Sequence, residues 1–372
     1  IDLATEIIFN FCKDDISKDQ LKIIIKKSYS NFENEQIVDL KKIGNYNFLE
    51  LYHGPTLAFK DIAMQVIGHL YDHLEVSKDK TVNIIVATSG DTGSAAISAL
   101  NDRKNINVFV LHPHNRISNI QRKIMTTIGS NNIFNIAVEG SFDDCQKIVK
   151  DMFNDNEFRE KINMSGVNSI NWARIICQIV YYFYATFKLG VQNVSFSVPT
   201  GNFGDIYAGY MAKKMGLPID KLIVATNKND ILQRAINTGE YKPNKVIPSL
   251  SPSMDIQVSS NFERLLFNIL DEDDKKVAEL MKELKTKGFF VLDQATVKIL
   301  KKDFHAEKID DEETLAIIKN LSIDLKFVID PHTATAFGAA KRINNPSKII
   351  ILGTAHPYKF FETAKKATNI EI

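Results

Sequence analysis

Short, almost continuously apolar stretches that are rich in β-branched residues recur along the chain from residue 82 onward. Strands buried on both faces have this composition, and parallel sheets bury both of their faces. Segments of helix length separate most of the stretches, so the pattern predicts an α/β fold in which mainly parallel sheets are flanked by helices. The predicted strands are VNIIVA (82–87), INVFVL (106–111), IFNIAV (133–138), VSFSVP (194–199), KLIVAT (221–226) and KIIIL (348–352).

Two regions depart from this alternation. Residues 1–45 have a helical pattern, and ISKDQLKIIIKKSY (16–29) places apolar residues at helical spacing after Ser17, a candidate N-cap. Residues 228–330 are rich in Lys, Glu and Asp, with amphipathic segments and few strand signals. We expect this second region to be a largely helical insertion, with the charged run at 271–288 on a solvated helix face.

Charge and hydropathy exclude two classes of partner. The 46 basic and 45 acidic residues leave a formal charge of +1, so the chain offers neither a basic field for nucleic acid nor a polybasic membrane anchor. The longest apolar run, IICQIVYYFYATF (175–187), is shorter than the roughly 20 residues that span a bilayer and predicts a buried helix. We therefore expect no nucleic-acid partner and no membrane partner.

Cysteine usage indicates a reducing compartment. Cys12, Cys145 and Cys177 are too few and too scattered for a disulfide framework or a CxxC metal site, so no metal is expected. No signal or transit peptide is visible after Ile1, although a segment before it could carry one. We expect a cytoplasmic protein.

The stretch HGPTLAFKD (53–61) places Lys60 in or just before the first turn of an apolar helix. A cation near a helix N-terminus is disfavoured by ~0.3–1 kcal/mol, and partial burial lowers the pKa of a lysine further. A lysine of this kind is neutral part of the time and can form a Schiff base. Alternatively, Lys60 is a surface residue whose stem covers the neighbouring phenylalanine.

A first glycine loop lies in ATSGDTGSAA (87–96), directly after a predicted strand. Gly90 and Gly93 let the backbone approach a ligand, and the free amides of a helix that we expect from Ser94 onward can bind an anion. The loop matches neither the dinucleotide fingerprint nor the Walker motif. Taken alone, it is equally compatible with an ordinary strand-to-helix turn.

A second glycine loop lies in VPTGNFGDIYAGY (198–210), again between a predicted strand and a helix. The consecutive amides of residues 201–204, here called the GNFG loop, can wrap a phosphate without a cationic side chain. Both loops follow predicted parallel strands, and open α/β sheets bind ligands at the carboxyl ends of such strands. The pair therefore favours a binding site more than either loop alone.

A hydroxyl completes this set of groups. Thr354, in ILGTAHPYKF (351–360), also follows a predicted strand, although alone it is compatible with a turn threonine. Pyridoxal phosphate (PLP) needs an imine-forming lysine, a phosphate site and a partner for its ring nitrogen, and these motifs supply all three. A hydroxyl partner leaves the ring nitrogen largely unprotonated, which favours elimination and replacement chemistry over transamination.

These motifs resemble those of the threonine synthase family, in its longer-chain bacterial and fungal group. "HGPTLAFKD" and "SGDTG" are the most specific of the matching stretches. The full set runs in order from about residue 48 to 360: LELYHGPTLAFKD (49–61), ATSGDTGSAA, EGSFDDCQ (139–146), NSINWARIICQIVYYFYA (168–185), VPTGNFGDIYAGY, SNFERLLF (260–267), DPHTA (330–334) and GTAHPYKF (353–360).

The resemblance implies the tryptophan synthase β-like fold of PLP enzymes, fold type II, with two domains. Residues 1–80 and 190–372 would form a large PLP-binding domain that includes the insertion at 228–330, and residues 81–189 a smaller α/β domain. Family members also carry some tens of residues, usually with an STRG-like motif, that this sequence does not contain. The longer-chain relatives imply a monomer.

The resemblance also implies a reaction, in which O-phospho-L-homoserine and water become L-threonine and phosphate by γ-elimination and β-hydration. Lys60 would form the Schiff base with PLP and act as the catalytic base, with Thr354 facing the pyridine nitrogen and Asp91 near the 3′ oxygen. The implied ligands of the cofactor phosphate are Gly201, Asn202, Phe203 and Gly204. The implied ligands of the substrate carboxylate or phosphate are Thr88, Ser89, Thr92, Asn168 and Arg174; the arginine can bind phosphate bidentately, or else form an ion pair on a helix surface.

Two alternatives remain open at this point. One is another fold type II lyase, such as a serine/threonine dehydratase or a cysteine synthase, although the corresponding loop there carries asparagine instead of Asp91 and no second anion pocket is needed. The other is a non-catalytic PLP-binding protein similar to threonine synthase, against which Lys60 and the intact GNFG loop argue.

Overall fold

The computed structural model describes residues 1–74, 80–343 and 346–368, and the chain divides into two compact units. Unit 1 contains residues 1–37 and 51–180, and unit 2 contains residues 38–50 and 181–372. None of the described helices is both long enough and apolar enough to cross a membrane.

The helices and strands of the described residues are numbered in chain order. The helices are α1 (Asp2–Phe9), α2 (Lys18–Ser28), α3 (Lys60–His73), α4 (Asp91–Leu100), α5 (Asn119–Thr126), α6 (Phe142–Asn154), α7 (Asn156–Lys161), α8 (Trp172–Leu189), α9 (Gly204–Lys214), α10 (Ile231–Thr238), α11 (Phe262–Ile269), α12 (Asp274–Lys287), α13 (Gln294–Asp303), α14 (Asp311–Asp324), α15 (Pro331–Lys341) and α16 (Phe361–Thr368). The strands are β1 (Asp39–Ile43), β2 (Tyr46–Glu50), β3 (Val82–Ala87), β4 (Ile106–Pro113), β5 (Ile133–Val138), β6 (Met164–Ser165), β7 (Val194–Pro199), β8 (Ile219–Thr226), β9 (Glu240–Tyr241), β10 (Phe290–Val291), β11 (Phe304–Lys308) and β12 (Ile349–Gly353). Short 3₁₀ helices lie at Pro252–Met254, Pro346–Lys348 and Pro357–Phe360.

Unit 1 is built on a parallel sheet with the strand order β5-β4-β3-β6. In β3, Val82, Ile84 and Val86 join a core that also contains residues of α3 and α4, whereas Ile85 and Ala87 join a core with residues of α6. The strand is therefore buried on both faces, which explains its continuous apolar sequence.

Unit 2 contains a six-stranded sheet with the order β1-β2-β12-β7-β8-β11, and a separate two-stranded sheet of β9 and β10. Only the β1–β2 pair of the large sheet is antiparallel. β12 and β7 are parallel neighbours, so the segments that follow them, which contain Thr354 and the GNFG loop, leave the sheet at the same edge.

All six predicted strands are confirmed, and so is the α/β class with mainly parallel sheets. The expectation that each would be buried on both faces is wrong for β5, where Phe134 and Ile136 each expose 42% of their surface. β5 is an edge strand, and in this position its side chains lack a neighbouring strand on one side. The region 228–330 is largely helical, as predicted, although it also contains β9, β10 and β11.

The N-terminal region differs from the helical prediction for residues 1–45, because β1 covers Asp39–Ile43. The compact units also differ from the predicted domains at residues 181–189, which belong to unit 2, and at residues 1–37 and 51–74, which belong to unit 1. In this region α3 packs against α4, whereas the β1–β2 hairpin pairs with β12 of unit 2. The predicted domains include residues 75–79, 344–345 and 369–372, which lie outside the described residues; as functional domains, their boundaries stay a prediction.

Candidate active site

Lys60 is the first residue of α3 and exposes only 9% of its surface. Its Nζ lies 3.3 Å from Oδ2 of Asp91 and 4.5 Å from the centre of the Phe59 ring. Asp91 is the first residue of α4, where a carboxylate interacts favourably with the helix dipole, and it exposes 2%. The interpretation of Lys60 as a surface lysine is therefore wrong: the amine is buried beside a carboxylate.

The turn before α3 fixes the position of Lys60. The Asp61 carboxylate accepts hydrogen bonds from the Thr56 amide (2.8 Å) and the Thr56 hydroxyl (2.7 Å), which closes the loop onto the helix start. The loop packs so closely that a Cβ at Gly54 would lie 2.5 Å from the Asp61 Cβ. Asp61, which follows the lysine in HGPTLAFKD, thus stabilises the turn that positions Lys60.

The loop between β3 and α4 is organised by Thr88. Its hydroxyl oxygen accepts hydrogen bonds from the amides of Gly90 (2.9 Å) and Gly93 (2.8 Å). Gly90 has φ +127°, in the region that favours glycine, and α4 begins at Asp91 rather than at Ser94 as predicted. The early helix start is what brings the Asp91 carboxylate to Lys60.

Gln121 is a member of this cluster that the sequence analysis missed. It is fully buried, and its Nε2 donates a hydrogen bond to Oδ1 of Asp91 at 2.9 Å. Its Oε1 accepts from the Ser118 amide, so Gln121 also forms the capping box of α5. The serine-x-x-glutamine spacing predicts such a cap, but nothing in the sequence connects it to Asp91.

The other implied substrate ligands of unit 1 lie in different surroundings. Ser89 in the loop and Thr92 in the first turn of α4 are half-buried, while the Asn168 side chain donates to the Ala87 carbonyl at 3.0 Å. Arg174 exposes 2%, and its Nη1 donates to the Val167 carbonyl at 3.1 Å. The alternative of an ion pair on a helix surface is therefore wrong for Arg174.

In unit 2, the carbonyl oxygens of the GNFG loop are held by residues 259–261. The Ser259 hydroxyl donates to the Gly201 carbonyl at 2.9 Å, and the amide and side chain of Asn261 donate to the Asn202 carbonyl at 3.1 and 2.9 Å. Within the described residues, the amides of Gly201, Asn202, Phe203 and Gly204 form no hydrogen bond. A row of unsatisfied amides at the start of α9 fits a phosphate group.

Phe203 gives the loop its shape. It adopts φ +64°, which is uncommon for a residue other than glycine, immediately before α9. Its ring is buried and contacts the rings of Phe262 (5.6 Å) and Phe304 (5.7 Å between centres). This aromatic packing stabilises a backbone conformation that the sequence alone does not predict for phenylalanine.

His332 supports the GNFG loop through a contact to Ser253, which packs against Gly201. Its Nε2 accepts a hydrogen bond from the Ser253 amide (3.3 Å), so the ring proton is on Nδ1, which donates to Asp330 Oδ1 at 2.8 Å. A Cβ added at Gly201 would lie only 2.6 Å from the Ser253 carbonyl oxygen, so this segment packs tightly against the loop. The DPHTA stretch supported the resemblance, but a role for its histidine was not predicted.

Thr354 directly follows β12 and exposes 6% of its surface. Within the described part of the chain its hydroxyl forms no hydrogen bond, although a buried hydroxyl normally has a partner. This observation, together with the amides of the GNFG loop, makes the groups of unit 2 fit PLP, which needs a polar atom for its ring and donors for its phosphate.

Comparisons with known proteins agree with this fit. A family model described as pyridoxal-phosphate dependent enzyme matches residues 41–300, so the fold is that of a PLP-dependent enzyme. A threonine synthase of Pseudomonas aeruginosa is 47% identical (98% of this chain, 79% of that protein), and one of Saccharomyces cerevisiae is 44% identical (99% and 79%). The crystal structure of PLP-bound threonine synthase from Brucella melitensis is similar with a TM-score of 0.94 and 43% identity, over 100% of this chain and 81% of that one. The chain belongs to the threonine synthase family.

Proposed function

We propose that this protein converts O-phospho-L-homoserine and water to L-threonine and phosphate with PLP as its cofactor. The observation that carries the proposal is the buried Lys60–Asp91 pair, in a chain that is 47% identical to a curated threonine synthase. The two open alternatives, a different fold type II lyase and a non-catalytic PLP-binding protein, have no observation in their favour.

Four sets of groups in the chain would hold the cofactor. Lys60 would form a Schiff base with the aldehyde, and the four amides of the GNFG loop would bind the phosphate. Thr354 would face the pyridine nitrogen, and Asp91 would lie near the 3′ oxygen. Bound PLP supplies a sink for the electrons that are released when bonds to the substrate α and β carbons break.

Lys60 is the proposed catalytic base. Displaced by the substrate amine, its free amine takes the α proton and later moves a proton at the β carbon, while phosphate leaves the γ carbon. A proton is then delivered to the γ carbon, which becomes the methyl group, the hydroxyl of a water molecule adds at the β carbon, and a proton returns to the α carbon, which completes threonine. The Asp91 carboxylate, 3.3 Å from Nζ, holds the amine in place between these steps.

The substrate carboxylate and phosphate would bind residues of unit 1. Ser89 and Thr92 are half-buried and so remain accessible to an anion. Thr88 already accepts two loop amides, and its hydroxyl proton remains to be donated. Asn168 and Arg174 complete the proposed set, since a guanidinium can bind a phosphate or carboxylate through two parallel N–H groups.

We also propose that the protein is cytoplasmic and monomeric. All three cysteines are free thiols, which is compatible with a reducing compartment. Burial raises the pKa of the Cys177 thiol to about 12 and that of Cys145 to about 11, so these thiols stay protonated. Light scattering after size-exclusion chromatography tests the monomer, with a dimer mass as the contradicting result.

The reaction is tested by measuring phosphate and threonine released from O-phospho-L-homoserine, for the wild type and for Lys60→Ala. We expect equal amounts of both products from the wild type, and loss of the visible Schiff-base absorption together with at least a ~1000-fold loss of turnover in the variant. Keto acid from threonine, or consumption of sulfide with O-acetylserine, would instead support a different lyase. A coloured wild type without any of these activities would support the non-catalytic alternative.

A further inference from the structure

Gln121 connects a helix cap to the Lys60–Asp91 pair. The chain of contacts runs from the Ser118 amide to Gln121 Oε1 (3.1 Å), from Gln121 Nε2 to Asp91 Oδ1 (2.9 Å), and from Asp91 Oδ2 to Lys60 Nζ (3.3 Å). Gln121, Asp91 and Lys60 expose 0%, 2% and 9% of their surface, so water competes little for these bonds.

The network fixes the orientation of the Gln121 amide. A backbone amide such as that of Ser118 can only donate, and therefore it faces Oε1; an ionised carboxylate can only accept, and therefore it faces Nε2. The backbone also encloses the group, because a Cβ at Gly90 would lie 2.4 Å from its Cδ. Gln121 can neither flip nor move aside without disturbing α5 or the loop.

We propose that Gln121 is a positioning residue for the Lys60–Asp91 pair: its amide keeps the Asp91 carboxylate ionised, with Oδ2 directed at Lys60. The inference rests on the proposed role of Lys60 in the Schiff base. The Gln121 amide is a neutral donor, so it forms a hydrogen bond to one Asp91 oxygen without neutralising the carboxylate. The other Asp91 oxygen then remains a charged acceptor for the Lys60 amine.

Asp91 is a charged group that contacts Lys60 from a neighbouring helix. It is the only ionisable residue of α4, which packs against α3. On α2, which also packs against α3, the charged side chains are exposed: Lys18, Asp19, Lys22, Lys26 and Lys27. Within α3, the Asp61 carboxylate is held by Thr56.

Two substitutions distinguish the hydrogen bond from Gln121 to Asp91 from the role of Gln121 in capping α5. Gln121→Glu keeps an acceptor for the Ser118 amide and hence the capping box, but it places a second carboxylate against Asp91, and the two must share a proton. Gln121→Leu removes both bonds and leaves a buried carboxylate oxygen without its donor, which raises the pKa of Asp91. Gln121→Glu therefore adds negative charge near Lys60 at high pH, whereas Gln121→Leu lowers the negative charge there because Asp91 is more easily protonated.

The experiment titrates the visible absorption band of the holoenzyme from about pH 5 to about pH 10. We expect the midpoint for loss of the protonated Schiff base to rise by about one pH unit in Gln121→Glu and to fall by about one unit in Gln121→Leu. We also expect kcat/KM to fall roughly 10- to 100-fold in both variants. Thermal unfolding verifies that each variant folds, and Gln121→Glu is the more stable of the two because it retains the cap.

Gln20→Glu is the matched control, because Gln20 forms the same capping box with Ser17 on α2 and is exposed. It should leave both the titration and kcat/KM unchanged. Identical titration curves for the wild type and both Gln121 variants would overturn the proposal, even if stability falls. The spectral readout requires only PLP on Lys60, so a wild type that shifts as expected yet makes no threonine would contradict the proposed reaction and not the role of Gln121.

Discussion

At the scale of single residues, Gly201 is the point where the GNFG loop has least room. A Cβ there would lie 2.6 Å from the Ser253 carbonyl oxygen and 3.3 Å from Met254 Cα, and backbone atoms cannot rotate away. We expect Gly201→Ala to lower the free energy of unfolding by about 1–3 kcal/mol and to weaken PLP binding at least tenfold. Urea unfolding and titration with PLP measure the two effects.

Gly129→Ala is the control for this substitution. No atom lies within 4 Å of the added Cβ, and the φ of Gly129 is not in the left-handed region. Its stability should stay within about 0.5 kcal/mol of the wild type, with unchanged PLP affinity. Normal PLP binding by a folded Gly201→Ala protein would show that this loop does not bind the cofactor phosphate.

Sequence reasoning at this scale identifies candidates for the chemistry and misses the residues that contact them. Lys60 and Thr354 are recognisable as candidates because each lies beside a predicted strand end or helix start, whereas Asp91 is implied only by the family resemblance. Gln121 and His332 act through side-chain contacts to residues 30 and 79 positions away in the chain. Such contacts are determined by how helices and loops pack, which local patterns do not encode.

At the scale of elements, the N-terminus of α15 combines a helix cap with support for the GNFG loop. Asp330 exposes 0% of its surface and accepts hydrogen bonds from the amides of His332 and Thr333, from the Thr333 hydroxyl and from the His332 ring. We expect Asp330→Ala to reduce stability by about 2–4 kcal/mol, since it removes a cap and leaves buried donors without partners.

The matched control is Asp293→Ala, at the exposed N-cap of α13, where the carboxylate accepts from the Thr296 amide. Its stability loss should be clearly smaller, and PLP affinity should not change. Asp330→Ala should weaken PLP binding as well, because His332 loses the acceptor that orients it toward Ser253. Equal losses of stability in the two variants would contradict a buried supporting role for Asp330.

The elements themselves differ in how well the sequence predicts them. Central strands such as β3 and β7 bury both faces and are continuously apolar, so the pattern predicts them; it misses β2 (YNFLE), which is also central but has polar residues in its sequence. β1 (DLKKI) and β11 (FHAEK) lie at the edges of the large sheet and carry charged residues, which resemble helix or loop sequences. Edge position also explains the exposed face of β5, which the apolar pattern alone did not reveal.

At the scale of the whole molecule, PLP should stabilise the folded chain in proportion to its binding. A ligand that binds only the folded state adds about 2.7 kcal/mol at 100 times its Kd, so the melting temperature should rise with PLP concentration. The aldehyde is proposed to react with Lys60 and the phosphate to bind the GNFG loop. Analogues that lack one group therefore distinguish the two contributions.

Pyridoxine 5′-phosphate retains the phosphate but cannot form a Schiff base, and pyridoxal retains the aldehyde without the phosphate. For the wild type we expect PLP to raise the melting temperature more than either analogue does. In Lys60→Ala, PLP and pyridoxine 5′-phosphate should become equivalent, because only the phosphate contribution remains. In Gly201→Ala, pyridoxine 5′-phosphate should lose most of its effect. Differential scanning fluorimetry across a concentration series measures these shifts, and a Lys60→Ala protein that still prefers PLP to pyridoxine 5′-phosphate would place the Schiff base on another lysine.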